Sequence, residues 1–124
     1  RDVMANASKR EQGLAMFEKV MRFKPPQLAD DPFFDATVEH LFADVWSRGE
    51  LSLRERRLIT LTVICCLGHE PTLKLHLGAA MQGDLSDADI DELMLHLAHY
   101  AGWPVGAFGF QVAQRLRAER DPQK

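Results

Sequence analysis

A chain of 124 residues is long enough for one domain with its own hydrophobic core. Hydrophobic residues make up 46% and charged residues 27%, and 15 basic against 18 acidic side chains leave a formal net charge of -3. That composition is ordinary for a globular protein, and a chain with no basic block and charges of alternating sign is not built for nucleic acid.

Apolar residues recur at helical spacing and nowhere alternate as strands do, so an all-α fold of about six helices is expected. A first helix, capped by Ser8, is predicted to run to about Phe23 with Leu14, Phe17, Val20 and Met21 on one face, and to stop at Pro25-Pro26. Asp31 followed by Pro32 reads as an N-cap and a first-turn proline. The second helix carries Phe34, Val38, Leu41, Phe42 and Val45 and ends near Gly49. Ser52 and Glu55 form a capping box for a third helix over about Leu53 to Leu67. Beyond Leu58 that helix is apolar all round, which places it at the centre of the domain or of an oligomer. Its adjacent Cys65 and Cys66 are poorly disposed to bridge each other and read as reduced, buried, small hydrophobes. Reduced thiols suit a cytoplasmic setting. Arg1 to Arg10 is polar, without the apolar core of a secretory leader. No apolar run reaches the ~18 residues of a membrane span, so no membrane partner is expected.

Gly68 ends the third helix. Pro71-Thr72 opens a fourth that is predicted to reach Met81, with Gly83 as its C-cap. Ser86 starts a fifth, to about Tyr100. The break Ala101-Gly102-Trp103-Pro104 leads into a sixth, which carries Val105, Phe108, Val112 and Leu116. Met81, Met94 and Phe108 fall at core positions of this pattern, and the tail from Glu119 is polar.

Several pieces stand in a telling order: the arginine-rich helix start Leu51-Ser-Leu-Arg-Glu-Arg-Arg-Leu58, the helix Leu73-Lys-Leu-His76-Leu-Gly-Ala-Ala80, Gly83, the acidic cap Asp87-Ala-Asp-Ile-Asp-Glu92, and Tyr100-Ala-Gly-Trp-Pro104. Over residues 51–109 the chain resembles the carboxymuconolactone decarboxylase family, relatives of alkyl hydroperoxidase D. The resemblance implies an alkyl hydroperoxidase D-like helical domain over residues 1–124, assembled as a homotrimer or homohexamer. It also implies one of two chemistries. The redox branch reduces peroxides with a C-x-x-C pair ahead of a histidine and a glutamate one helix upstream. On this chain the family histidine is His76, the two cysteine positions fall on His69 and Thr72, and the glutamate position falls on Arg57. A peroxidase is therefore disfavoured. The other branch decarboxylates a lactone without a cofactor. It often carries a glutamate where this chain has Thr72.

His76 is the first catalytic candidate, as a proton donor or as a hydrogen-bond donor to a developing oxyanion; the competing reading is a satisfied core histidine. Arg57 is a candidate anchor for a substrate carboxylate, since arginine binds carboxylates in bidentate fashion, against a salt bridge as the plainer alternative. His69, seven residues before His76, reads either as a pocket group or as an exposed loop residue. His96 and His99 share a helix face beside Tyr100. Their spacing can hold a metal, but no H-E-x-x-H pattern accompanies it, and no metal is expected. His96, Tyr100 and Trp103 are carried forward as substrate-binding candidates, Trp103 equally as a packed corner. The expected function is a cofactor-independent decarboxylase of a small carboxylated lactone similar to 4-carboxymuconolactone, in aromatic-acid catabolism, with a small-molecule carboxylate as its partner. The alternative is an oligomer of the same fold that binds a small molecule without catalysis or acts on a different substrate.

Overall fold

A computed structural model describes residues 3–123, with side chains from Ser8 onward. Its helices are α1 (Val3–Met21), α2 (Pro32–Ala36), a π-helical stretch (Thr37–Trp46) that continues α2, α3 (Leu53–Leu67), α4 (Glu70–Ala80), α5 (Asp87–Ala101) and α6 (Trp103–Arg120). Among the described residues there is no strand, and no helix is long and apolar enough to cross a membrane. Contacts group the chain into two compact units, Arg1–Leu53 and Arg54–Lys124.

In the first unit α1 packs against the π-helical stretch. Val20, Phe34, Val38 and Phe42 are buried, and the Phe17 ring meets Phe42 edge-on at 5.0 Å. Gly13 allows the close approach, because a Cβ there would overlap the Val38 carbonyl. Arg10 ties α1 to α2 through Asp35 (2.6 Å) and to the π-helical stretch through Glu39 (3.1 Å). The Asp31 cap is as expected, its carboxylate accepting from the backbone N–H groups of Phe33 and Phe34. Ser8 is not a cap: it lies on the exposed side of a helix already running from Val3. That helix stops at Met21, short of the prolines, where Arg22 takes a φ of 65°. The wider π-helical turn over Thr37–Trp46 was not legible either, since buried apolar residues four apart, as Phe34, Val38 and Phe42 are, suit an α-helix equally well.

In the second unit α3 to α6 enclose a core of Leu61, Cys65, Leu73, Leu77, Ile90 and Met94, with Val112 from α6. Gly109 belongs to this contact; a Cβ on it would overlap the Met94 sulfur and come within 2.8 Å of Cys65 Sγ. Met81 and Phe108 pack partly buried against the same core. Two boundaries are shifted. The fourth helix begins at Glu70 with His69 as its cap, and it ends at Ala80 with Met81 rather than Gly83 in the cap position. Ser86 and Asp89 form a reciprocal capping box on α5.

For α3, a place at the centre of the domain is corrected, and so is the burial of both thiols. The helix has an outer face: Ile59, Val63 and Leu67 are exposed on it while Leu61, Ile64 and Cys65 point inward. Cys65 is buried but Cys66 is exposed, since consecutive residues on a helix lie about 100° apart and cannot both face the core.

Candidate functional site

The inward stripe of α3 begins with a charge. Arg57 stands one turn before Leu61 and two before Ile64 and Cys65, and it is wholly buried. On α4 the inward stripe of Leu73, Leu77 and Ala80 includes His76, 9% exposed. The turn after α4 brings in Asp84, whose side chain is 4% exposed. That turn is set by backbone bonds from Gly83 and Leu85 to the Ala80 carbonyl, at 3.2 and 3.1 Å, and by the burial of Leu85.

These three side chains are joined. Arg57 Nε donates to Asp84 Oδ2 at 2.7 Å, and Arg57 Nη1 lies 2.8 Å from His76 Nδ1. Guanidinium has donors and no acceptor, so Nδ1 of His76 must be the acceptor and its proton must sit on Nε2. The electrostatics agree. Burial first, and then the Arg57 cation, push the His76 pKa down from 6.5 to about 4. At neutral pH the ring is therefore an uncharged imidazole with an Nε2–H to offer. The buried charges of Arg57 and Asp84 compensate each other, which makes a buried arginine tolerable.

The arrangement revises the expectation for Arg57. Its guanidinium is not an open fork awaiting a substrate carboxylate; Asp84 already occupies Nε, and no part of the residue reaches the surface. Asp84 itself was missed. The available signal was indirect: an arginine on an otherwise apolar stripe calls for a carboxylate, and the short turn after the His76 helix supplies one.

The other candidates lie apart from this chain of bonds. His69 is exposed and caps α4, with Nδ1 2.5 Å from Thr72 Oγ1 and 3.4 Å from Thr72 N. His96 stacks on Tyr100 at 4.9 Å, and His99 meets Trp103 edge-on at 5.6 Å. All four rings are exposed, Tyr100 at 83%. His99 Nδ1 is 2.7 Å from the Leu95 carbonyl. Trp103 lines an apolar groove of about 400 Å³ between α5 and α6, with Met94, Leu95 and Phe110. His96 lines a smaller one of about 280 Å³ beside Arg54 and Leu58. His76 lines neither. Among the described residues no three His, Cys, Asp or Glu side chains come together as a metal site.

Cys65 offers little to peroxide chemistry. Burial, with Cys66 alongside, pushes the Cys65 pKa up to about 11, whereas a reactive thiol needs a low pKa and access.

Comparison with known proteins agrees with this helical framework. The model of the carboxymuconolactone decarboxylase family matches residues 31–115. A 4-carboxymuconolactone decarboxylase of Acinetobacter baylyi is 33% identical over 75 residues, which is 60% of this chain and 56% of that protein. The chain thus matches little more than half the length of that relative.

Proposed function

We propose that this chain, which belongs to the carboxymuconolactone decarboxylase family, is a cofactor-independent carboxy-lyase acting on a small carboxylated lactone of the 4-carboxymuconolactone type. The observation that carries the reading is the neutral His76, buried and held from behind by Arg57, with Nε2–H left to meet developing negative charge. The likeness to the Acinetobacter enzyme supports the substrate class.

In such a reaction the bond between the ring carbon and its carboxylate breaks and carbon dioxide leaves. The electron pair passes through the ring double bond to the lactone carbonyl, giving a dienolate whose oxygen carries the charge. A proton then adds to carbon next to that carbonyl. Because the unsaturated lactone is its own electron sink, the electrons balance without a metal or organic cofactor. What the protein must supply is a donor aimed at the oxyanion in a site poor in water. A histidine with a pKa near 4 is not an imidazolium acid at neutral pH. Its role is hydrogen-bond donation from Nε2, with the Arg57 cation polarising the ring.

Arg57 is assigned to the support of His76 instead of direct substrate binding. His69, His96, Tyr100 and Trp103, all exposed, are assigned to binding and not to the bond-breaking step. The outer stripe Ile59, Val63 and Leu67 on α3 is apolar surface that a homotrimer or homohexamer would cover. Aromatic-acid catabolism in the cytoplasm is the proposed setting.

One observation favours the rival reading of a non-catalytic binding oligomer: His76 borders neither of the two grooves described above. The two readings separate in one assay. Freshly generated 4-carboxymuconolactone is mixed with the purified protein, no cofactor is added, and the reaction is followed by NMR. Loss of the carboxylate carbon as carbon dioxide is the expected result. A folded protein that leaves the lactone intact removes this substrate.

A further inference from the structure

We propose that Asp84 is a positioning residue which, through Arg57, fixes the orientation and the tautomer of the His76 ring. The proposal rests on the reading of His76 as the oxyanion donor. It starts from a constraint of shape. A guanidinium is a rigid plane with its N–H bonds in fixed directions, so one bonded edge sets where the others point. Asp84 takes Nε at 2.7 Å, and with Nε held, Nη1 is directed at His76 Nδ1, 2.8 Å away.

Arg57 needs such a hold. Arginine carries several freely rotating bonds, and each bond to its guanidinium narrows where the plane can lie. Asp84 is well suited to hold it, because the turn after α4 is pinned to Ala80 by two backbone bonds and anchored by the buried Leu85 beside it. Loss of Asp84 removes the bond at Nε, which loosens the aim of Nη1 and weakens the donor that faces Nδ1. The ring is then free to turn and to carry its proton on Nδ1. Either change withdraws the Nε2–H that the reaction uses. A carboxylate that merely balanced buried charge would affect stability and leave the ring alone.

The test reads the ring directly, in protein carrying nitrogen-15 in its histidines. In the wild type, His76 is expected as a single Nε2–H tautomer. A mixed or Nδ1–H ring there overturns the proposal, whether or not any variant folds. In Asp84→Asn the two tautomers are expected to average, and kcat on the lactone to fall about tenfold or more with KM changed less than about threefold, as when the partner behind a working histidine is lost. Asp84→Glu, which keeps the charge, is expected to restore much of the single tautomer. An Asp84→Asn protein that keeps a pure Nε2–H ring and its kcat within about twofold of wild type overturns the proposal. Should the wild type fail to turn over the lactone while the spectra change as described, the decarboxylase reading falls and the positioning role stands.

Discussion

The Arg54–Lys124 unit holds two groups of ring-bearing side chains that differ in nearly every physical respect. At the corner between α5 and α6, His96 stacks on Tyr100 and His99 meets Trp103 edge-on, all four exposed and, among the described residues, with no ion pair at either histidine. Inside, a single histidine sits among leucines and is bonded to a buried cation, which is bonded in turn to a buried carboxylate. The corner is made of residues close in sequence, and helical spacing alone pairs them. The interior set is gathered from positions 57, 76 and 84 on two helices and a turn. Proximity in sequence yielded surface ring pairs; the tuned histidine came from residues that only tertiary packing unites.

The sharpest way to test that contrast is to break the interior pair from one side. Arg57→Met leaves Asp84 buried without its cation and is expected to cost about 3–5 kcal/mol, read as a lower urea midpoint. The double replacement Arg57→Met with Asp84→Leu should regain most of that stability, because a neutral pair of similar volume carries no desolvation penalty. It should not regain the chemistry, so stability and activity part company in one protein. His76→Ala follows: kcat is expected to fall about 100-fold, the usual loss of one oxyanion donor, with the fold intact by circular dichroism. Gly109→Ala is a control at the core of the same unit. It forces Met94 and Cys65 to shift and should cost about 1–3 kcal/mol in thermal unfolding while leaving the His76 titration where it was. The smallest effects belong to the corner. His96→Ala and Tyr100→Ala should move KM by no more than about threefold, well under one bidentate contact, and stability by about 0.5 kcal/mol or less. A collapse of kcat in either corner variant would put the chemistry at the surface and reverse the comparison.

Much of the framework was legible in the sequence because its signals are local. Asp31 before Pro32, Ser86 with Asp89, and Gly68 and Gly102 at positive φ each act within a few residues. His76 was picked out by the family pattern, and it does lie on a buried stripe. What escaped needed either a partner or a distance. Ser8 has the right chemistry for a cap, yet the helix-compatible residues before it continue the helix past it. His69 read as a pocket group or an exposed loop residue, and it is an exposed N-cap of α4. The run of apolar residues in α3 gave no sign of which side would face water, so the exposure of Cys66 went unseen. Arg57 was read as open to a substrate because the sequence shows a charge and not its burial, and Asp84 carries no motif at all.

The central claim is that His76 works as a neutral donor, and the pH dependence of turnover tests it most directly. The folded pKa of about 4 lies below the ordinary 6.5, so the neutral form is fully present at neutral pH and is lost only as the pH falls towards 4. Measured kcat on the lactone should therefore be flat from about pH 8 to about pH 5.5, straight through the range where a solvated histidine titrates. A kcat that rises on acidification with a midpoint near 6.5 would mean that the imidazolium is the working species, and would contradict the account.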